Sequence, residues 1–501
     1  MDLDMKTLCD PIGIEVKTQP FILIIFGGGG DLSKKKLLPA LYNLFKLDKL
    51  NNDSYILSYG RKNRTQTEYR TLVKASIERN FKGEKTDVED GFLEKFNYVN
   101  GNSEKLEGIE SINKYVCKFK DINKYQIIFY LATPPNLAKN ILKLIQNLEL
   151  CDKPFKKKII MEKPFGIDTV SAINLNDDLH KIFKEDEIYR IDHYLGKETV
   201  QNILFFRFGN SIFEPLWNRS FIDHVKITVA EDIGIGSRGN FYEKAGVLKD
   251  IIQNHMMQLI ALVSMEPPTN FKADCIRDEK VKIFKNISSM SEKYMTENLV
   301  LGQYGPGEIK QKDVMGYRDE KNVDSDSNVG TFFSGKFHID NWRWAGVPFY
   351  VRAGKRLNKK LTEIVITFKT PPLKLFGNTC RDILANELIF SIQPEEKISL
   401  SINMKYPGVD NYPHPVEMNF NYSKLDTISL TAYERLIVDC IKGDLTLFAR
   451  QDGIEEMWKV MDPIVEYFNK INFKFPNYSA GDWGPKESAL LMKKDDRKWR
   501  I

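Results

Sequence analysis

The chain has 501 residues, and its 73 basic and 68 acidic side chains leave a formal net charge of +5. This length is too great for one ordinary hydrophobic core and favours two domains. The near balance of charge argues against nucleic acid as the main partner. A composition of 42% hydrophobic and 28% charged residues is typical of a globular protein and excludes disordered and fibrous classes.

The six cysteines are scattered along the chain, and no two of them form a CxxC pair. Their spacing predicts neither a disulfide framework nor a zinc site, so we expect no metal, and it is typical of a reducing compartment. The first 20 residues lack the apolar stretch of a secretory signal, and the apolar run that follows is too short to span a membrane. We therefore expect a cytoplasmic protein that binds no membrane.

The first predicted elements are a strand, a tight turn and a helix. The strand, residues 21–26, is wholly apolar, which is typical of a parallel strand buried on both faces. Four glycines follow it, and a second apolar strand over residues 55–59 completes a β-α-β unit. Between the two strands, apolar residues recur at the spacing of a helix: Leu37, Leu38, Leu41, Leu44 and Phe45.

Further strands are predicted over residues 126–132 and 158–161, with a helix over residues 137–150 between them. This alternation indicates an α/β domain with a Rossmann-like, doubly wound parallel sheet. We place this nucleotide-binding domain at residues 21–192, after an N-terminal extension over residues 1–20.

The pattern changes in the C-terminal part, residues 193–501, where predicted strands follow one another with few helices between them. Such runs favour an α+β domain with a large, mainly antiparallel sheet. One long helix is predicted over residues 245–265, and much of the polar segment 288–328 is predicted as loop. The predicted strands lie at residues 225–230, 330–339, 363–368, 387–393 and 398–404.

The turn after the first strand consists of Gly27, Gly28, Gly29 and Gly30. Glycines at this place permit a tight turn and allow backbone N–H groups to approach a pyrophosphate at the positive end of the helix. The alternative is a plain connection between strand and helix. The predicted cofactor-binding residues of this segment are the four glycines with Asp31, Leu32, Ser33 and Lys34.

The end of the second strand favours NADP over NAD. Folds of this type bind the cofactor ribose here, with an acid for NAD or a base for the extra phosphate of NADP. Arg61, Lys62 and Arg64 follow the strand, and no acid lies among them. Because a guanidinium can bind a 2′-phosphate through two hydrogen bonds, we assign Arg61 to the cofactor site. An exposed basic turn without a ligand is the alternative.

Two segments farther along the chain resemble signature segments of the glucose-6-phosphate dehydrogenase family, MEKPFG at residues 161–166 and YRIDHYLGKE at residues 189–198. The resemblance implies oxidation of D-glucose 6-phosphate at C1 to 6-phospho-D-glucono-1,5-lactone with hydride transfer to NADP, the step that commits glucose to the pentose phosphate pathway. It covers nearly the whole chain and includes VAED at 229–232, KDIIQNH at 249–255, WAGVPF at 344–349, RAGK at 352–355 and YERL at 433–436.

The resemblance implies that His255 is the general base of this reaction and that Asp192 is its partner. The oxidation needs a base for the C1 hydroxyl proton, and an imidazole titrates near neutral pH. A nearby carboxylate orients the imidazole tautomer and stabilises the imidazolium. From the residues alone, the alternative for His255 is a purely structural role. The alternative for Asp192 is an ion pair with Arg190 or Lys197.

The resemblance also implies a substrate site. His193, Tyr194 and Lys197 bind the sugar phosphate in this interpretation, through charge-assisted hydrogen bonds. Lys163 is implied in catalysis and in contact with both the sugar and the cofactor. On an ideal α-helix Asp250 and His255 lie about 140° apart, so we expect Asp250 to reach the site less readily. The other implied substrate contacts are Glu231, Asp250, Lys355 and Lys360.

Two features depart from the family pattern. Gly28 and Gly29 stand where family members usually carry small residues such as Ala or Ser, and we expect function to survive this change. Some members bind a second, structural NADP through cationic residues, but positions here that should match lack them, so we predict a single catalytic NADP site. These positions carry Leu361, Val365, Ser391, Ser399, Ser401 and Trp483. The family's assemblies imply a homodimer or homotetramer.

Two other functions stay open at this point. Another sugar oxidoreductase with a Rossmann domain explains the N-terminal half, but it does not explain segment 189–198 or the Asn254–His255 pair. A non-catalytic sensor of sugar phosphate or NADP typically loses the base or its partner, whereas Asp192 and His255 are both present.

Overall fold

The computed structural model describes residues 18–81, 88–119, 121–148, 155–373, 375, 383–407, 413–421 and 430–500. They divide into two compact units, and neither unit is continuous in sequence. The first unit contains the described residues up to Lys163, with Asp177–Ile191 and Tyr433–Leu445. The second contains Pro164–Asn176, Asp192–Ala432 and Thr446–Ile501. The boundary between residues 192 and 193 stays a prediction, and the predicted extension lies outside the described residues up to residue 17.

The first unit is built on six parallel strands in the order β6-β5-β4-β1-β2-β3. Every residue of the central strands β1 and β4 is buried, as their apolar sequences predict. The parallel Rossmann-like sheet is thus confirmed, and β3 is an additional strand that the sequence did not indicate. The strands are β1 (Phe21–Phe26), β2 (Tyr55–Gly60), β3 (Phe96–Asn100), β4 (Gln126–Leu131), β5 (Lys156–Glu162) and β6 (Ile188–Ile191).

Helix α2 (Gln66–Asn80) of this unit begins at a capping box. The Thr65 hydroxyl accepts from the Glu68 backbone N–H, and the Glu68 carboxylate accepts from the Thr65 N–H at 2.8 Å. This cap fixes the helix start and leaves the preceding Arg61 and Arg64 in the turn after β2. The other helices here are α1 (Leu38–Lys46), α3 (Asp90–Glu94), α4 (Ile109–Cys117), α5 (Ala138–Gln146) and α12 (Ala432–Lys442), and α6 (Thr169–His180) crosses between the units.

Two expectations for the first unit need correction. The helix predicted over residues 137–150 ends at Gln146 in the structure, and residues 149 and 150 lie outside the described residues. Cys117 is disulfide-bonded, which the scattered cysteines did not predict, whereas Cys275 and Cys440 are free thiols. Cys9, Cys151 and Cys380 lie outside the described residues.

The second unit contains an eight-stranded sheet in the order β17-β16-β15-β14-β7-β13-β12-β8. Its neighbours are antiparallel except β7 and β13, which run parallel, so the predicted mainly antiparallel sheet is confirmed. The strands of this sheet are β7 (Ile222–Ala230), β8 (Leu299–Gly302), β12 (Phe332–Phe337), β13 (Phe349–Gly354), β14 (Leu361–Phe368), β15 (Glu387–Gln393), β16 (Lys397–Lys405) and β17 (Pro413–Asn421).

About half of the segment 288–328 is loop, in line with its polar composition, and the rest forms elements that the sequence did not predict. Besides β8 it forms a helix and three short strands, which are too short to show a recognisable hydrophobic pattern in the sequence. These are α11 (Glu292–Asn298), β9 (Tyr304–Gly305), β10 (Gly307–Ile309) and β11 (Lys312–Val314). The remaining strands of the unit are β18 (Phe448–Ala449) and β19 (Tyr478–Ser479).

The helix predicted over residues 245–265 is interrupted. Gly246 has φ 55° and ψ −174°, which breaks α8 (Gly239–Val247), and a π-helical segment, Leu248–Met256, separates it from α9 (Met257–Ser264). The other helices are α7 (Glu198–Phe208), α10 (Ala273–Asn286), α13 (Gln451–Asn469) and α14 (Lys486–Lys493). Among all the described residues, no helix combines the length and apolar composition needed to cross a membrane.

Candidate active site

Asp192 and His255 lie together in the second unit. Asp192 directly follows β6, and its Oδ1 accepts hydrogen bonds from the Tyr194 backbone N–H at 3.0 Å and from His255 Nδ1. Both side chains are only 3% exposed. A buried carboxylate on Nδ1 holds the proton on that nitrogen and leaves Nε2 as the basic atom. The structure thus joins the two residues that the sequence paired.

Aromatic rings fix the orientation of the His255 imidazole. The Tyr194 ring stacks on it with centroids 4.2 Å apart and planes 24° apart. The His193 ring meets it edge-on at 4.6 Å. Burial raises the pKa of Tyr194 well above its ordinary value, so its hydroxyl remains a proton donor. The sequence segment 192–194 therefore supplies both a hydrogen-bond partner and two packing partners for His255.

Lys197 lies beside Tyr194, with its Nζ 4.6 Å from the centre of the tyrosine ring. This Nζ is buried and has no hydrogen-bond partner among the described residues. Burial lowers the pKa of Lys197 to about 8, against the charges of Glu396 and Asp192, which raise it. A buried ammonium without a partner is costly, and an anionic ligand would relieve that cost.

Glu231 and Lys355 meet at one edge of the large sheet. They directly follow β7 and β13, the one parallel pair of this sheet, so the carboxyl ends of both strands lie side by side. Lys355 Nζ donates to Glu231 Oε2 and lies 3.7 Å from Asp250 Oδ2. Two carboxylates and an ammonium at this edge form a group of acceptors and donors suited to sugar hydroxyls.

The expectation that Asp250 reaches the site less readily than His255 assumed an ideal α-helix, and that premise is wrong. Both residues lie in the π-helical segment Leu248–Met256, whose hydrogen bonds span five residues. Positions five apart therefore approach the same side of the helix. Besides burial, the negative charges of Glu231, Asp192 and Asp250 raise the pKa of Tyr194, so all three carboxylates act on this tyrosine.

The predicted cofactor turn lies in the first unit and is tightly closed. Gly27 has φ 90°, its N–H and that of Gly28 donate to the Tyr59 carbonyl, and Gly30 N–H donates to Gly27 O at 2.8 Å. A Cβ added to Gly28 would lie 2.5 Å from Ser58 Cβ, so no side chain fits there. A turn without side chains at the start of a helix is the shape that a pyrophosphate requires.

The rest of the predicted turn begins the helical region. Asp31 is exposed and pairs with Lys35 at 2.9 Å, and the Ser33 hydroxyl donates to Gly27 O at 3.0 Å. Leu32 precedes a π-helical segment, Ser33–Leu37, which contains Lys34 and continues into α1. The helix therefore starts at the turn, as the sequence predicts.

Arg64 lies closer to this turn than the sequence indicated. A Cβ added to Gly29 would lie 3.0 Å from Arg64 Nη1, and the guanidinium is 5.9 Å from the centre of the Tyr98 ring. Arg61 is exposed. The basic cluster pointed to this place, but only the structure shows which arginine lies beside the glycines.

Lys163 and Lys360 are the two remaining lysines of the predicted site. Lys163 follows β5 and ends the first of the three segments that make up the first unit. Lys360 is exposed, directly precedes β14, and its charge lowers the pKa of Lys197, so it lies near that residue.

Asp192, His193 and His255 also place possible metal-ligand atoms within 4.8 Å of one another. The hydrogen bond between Asp192 and His255 accounts for that proximity, and we assign no metal here.

Comparisons with known proteins cover almost the whole chain. Residues 24–202 match the family model "Glucose-6-phosphate dehydrogenase, NAD binding domain", and residues 204–500 match "Glucose-6-phosphate dehydrogenase, C-terminal domain". The glucose-6-phosphate 1-dehydrogenase of Chlamydia pneumoniae is 44% identical over 499 residues, with 96% of each chain covered. That of Chlamydia muridarum is 41% identical over 495 residues, covering 96% of this chain and 97% of the relative.

A solved structure extends the likeness to three dimensions. It is described as "Glucose-6-phosphate dehydrogenase in complex with its substrate glucose-6-phosphate". Its TM-score is 0.88 at 33% sequence identity, and the match covers 97% of this chain and 99% of that chain.

Proposed function

The chain belongs to the glucose-6-phosphate dehydrogenase family, and from that premise we propose how its own residues carry out the reaction. The protein is an oxidoreductase that oxidises glucose 6-phosphate at C1 to the 1,5-lactone, the step that commits glucose to the pentose phosphate pathway. The observation that carries the proposal is the buried hydrogen bond between Asp192 and His255.

His255 acts as the general base in this proposal. Its Nε2 takes the proton from the C1 hydroxyl. A bound NADP would supply the hydride acceptor for C1. Asp192 holds the Nδ1 proton and offsets the positive charge that the imidazole gains. The stacked Tyr194 keeps the ring in place while its charge changes.

The substrate phosphate binds to His193, Tyr194 and Lys197. The support is the buried, unpartnered Lys197 Nζ, which gains a charge-assisted hydrogen bond when a phosphate oxygen approaches. Lys360 adds positive charge near Lys197. Binding energy from this phosphate is then used to orient C1 for reaction.

The sugar hydroxyls bind to Glu231, Asp250 and Lys355 at the edge of the large sheet. The support is the group of one ammonium and two carboxylates at this edge. Lys163 contacts sugar and cofactor in this proposal, because Pro164 disfavours helical backbone before it and holds it at the end of β5.

The cofactor is NADP, held in one catalytic site by residues 27–34 and by Arg61, with Arg64 as a further contact. The support is the side-chain-free turn and the basic cluster after β2. We propose no second NADP site. In support, Arg352 already lies 4.6 Å from the centres of both Trp483 and Trp499 and donates to the Arg500 carbonyl.

The protein forms a homodimer or homotetramer through the large sheet and works in the cytoplasm. Support for the assembly comes from exposed apolar side chains that share one face of β16 and β17, where Val416 pairs with Ile402 and Met418 with Leu400. They are Met404, Val416, Met418 and Phe420. Contiguous exposed apolar patches mark interaction sites.

The test compares rates with glucose 6-phosphate and free glucose, each with NADP and NAD. We expect the phosphorylated sugar and NADP to be strongly preferred, and Arg61→Ala and Arg64→Ala to weaken NADP far more than NAD. Preference for free glucose would favour another sugar oxidoreductase. Ligand binding in a calorimeter without any turnover would favour a sensor.

A further inference from the structure

Glu396 connects the large sheet to the start of α7. It lies in the turn between β15 and β16, far from residue 199 in sequence. Its Oε2 accepts two hydrogen bonds from Thr199, from the backbone N–H at 3.1 Å and from the hydroxyl at 2.7 Å. Thr199 is fully buried. A single carboxylate oxygen therefore ties the turn to the first residues of the helix.

This contact completes the N-terminus of α7. The helix begins at Glu198, and Lys197 occupies the capping position without providing a side-chain hydrogen bond. The first backbone N–H groups of a helix need acceptors from outside, and a negative charge is favourable at this end. Glu396 supplies both, so it fixes where the helix starts and where Lys197 stands.

The Glu396 carboxylate also acts on the ammonium of Lys197 through its charge. Three charged groups from three places in the chain act on this ammonium: Glu396 from the β15–β16 turn, Asp192 after β6, and Lys360 before β14. Glu396 has the largest effect of the three and favours the charged form, against burial and Lys360. The Tyr194 ring covers the ammonium from a further side.

We propose that Glu396 is a positioning residue for phosphate recognition, which anchors the start of α7 and supplies the negative charge that keeps Lys197 an ammonium. It does not touch the substrate, because a carboxylate would repel the phosphate. It acts through Thr199 and Lys197. The proposal rests on the proposed function, in which Lys197 binds the phosphate of glucose 6-phosphate.

The test separates the charge of Glu396 from its role as a cap. Glu396→Gln keeps a neutral acceptor for Thr199 and removes the charge, whereas Thr199→Val removes one hydrogen bond and leaves the charge. Glu395→Gln is the matched control, because Glu395 is an exposed carboxylate in the same turn. Steady-state rates are measured with glucose 6-phosphate and with free glucose, from pH 6.5 to pH 9.5, and folding is checked by circular dichroism.

For Glu396→Gln we expect the KM for glucose 6-phosphate to rise about tenfold at pH 8, with kcat within about twofold of the wild type. The rise of KM with pH should begin at lower pH than in the wild type, since Lys197 loses its proton earlier. Rates with free glucose should not change, because that substrate carries no phosphate. Thr199→Val should raise the KM at every pH without moving the onset of the rise.

Two outcomes would overturn the inference: Glu396→Gln behaving like Glu395→Gln, or an equal loss with both sugars, which would indicate a structural role only. A wild-type enzyme without preference for the phosphorylated sugar would instead overturn the proposed function itself. If Thr199→Val fails to fold, Glu396→Gln still decides the question, since it retains the acceptor for Thr199.

Discussion

Replacing Asp192 by asparagine tests the proposed catalytic pair with the smallest change of shape. The amide oxygen can still accept the hydrogen bond from His255 Nδ1, but the negative charge is lost. In the proposed mechanism the imidazole becomes positively charged as it takes the substrate proton. The variant therefore loses the stabilisation of that charge while it retains the geometry of the site.

The size of the effect follows from the burial of the pair, since both side chains are 3% exposed. A hydrogen bond to a charged group contributes about 1.5–3 kcal/mol and a neutral one about 1 kcal/mol, so the difference is about 0.5–2 kcal/mol. This corresponds to a fall in kcat of about 2- to 30-fold. His255→Asn removes the base itself and should lower kcat by about 10²- to 10⁴-fold.

The assay is the initial rate of cofactor reduction as a function of pH. Besides the lower rate, the acidic limb of the profile should move to lower pH in Asp192→Asn, since a carboxylate favours the protonated imidazole. The double variant should be no slower than His255→Asn, because the two residues act as one unit.

Asp223→Asn is the matched control, since its carboxylate also contacts a histidine, with 2.6 Å between Asp223 Oδ2 and His224 Nδ1. It should leave kcat and the profile unchanged, although it removes the ion pair with Arg497. Full activity in Asp192→Asn, or a shift of the acidic limb to higher pH, would refute the assignment of Asp192 and His255.

Two further variants test the phosphate site and the cofactor turn. Because the pKa of Lys197 is about 8, its ammonium is present below that pH and lost above it. The KM of the wild type for glucose 6-phosphate should therefore rise above pH 8, while that of Lys197→Met should be high throughout, and a KM in the wild type that is flat to pH 9.5 would contradict this. Gly28→Ala should destabilise the protein by about 1–3 kcal/mol and raise the KM for NADP, because its Cβ would meet Ser58. Gly29→Ala should be close to neutral in thermal unfolding, since its Cβ meets only the tip of Arg64, and equal effects of the two substitutions would contradict the geometry of the turn.

The sequence predicted those parts of the fold whose pattern is strong within a short window. The all-apolar residues 21–26 and 126–131 are the central strands of the parallel sheet, where both faces are buried. Strand β3 has buried Phe96, Tyr98 and Val99, with half-buried Asn97 and exposed Asn100, and lies at the sheet edge, so its mixed pattern escaped prediction. Tyr433–Leu445 belongs to the first unit although it lies far from the rest of that unit in sequence, and no local sequence pattern indicates such a long-range contact.

The candidate site was predictable as a set of residue types and less so as an arrangement. The paired Asp192 and His255 followed from the resemblance and the need for a base with a carboxylate partner. The closeness of Asp250 to the site did not follow, because apolar spacing does not distinguish a π-helical segment from an α-helix. Glu396 and Arg64 could not be singled out from the sequence. Glu396 is one of two adjacent acids in a hairpin turn, and Arg64 is one of three nearby basic residues, so the sequence does not distinguish either from its neighbours.

The π-helical segment Leu248–Met256 makes the enzyme sensitive to the number of residues in its chain as well as to their identity. Inserting a single residue between Asp250 and His255 would place them six positions apart, and at about 100° per residue they would lie about 120° apart around an ordinary α-helix. The Asp250 carboxylate, proposed to bind the sugar, and the proposed base His255 would then turn away from each other although both were retained. A surface loop tolerates such a change of length, but here we expect it to lower activity as much as loss of the base would. The number of residues in this segment therefore sets the relative orientation of Asp250 and His255.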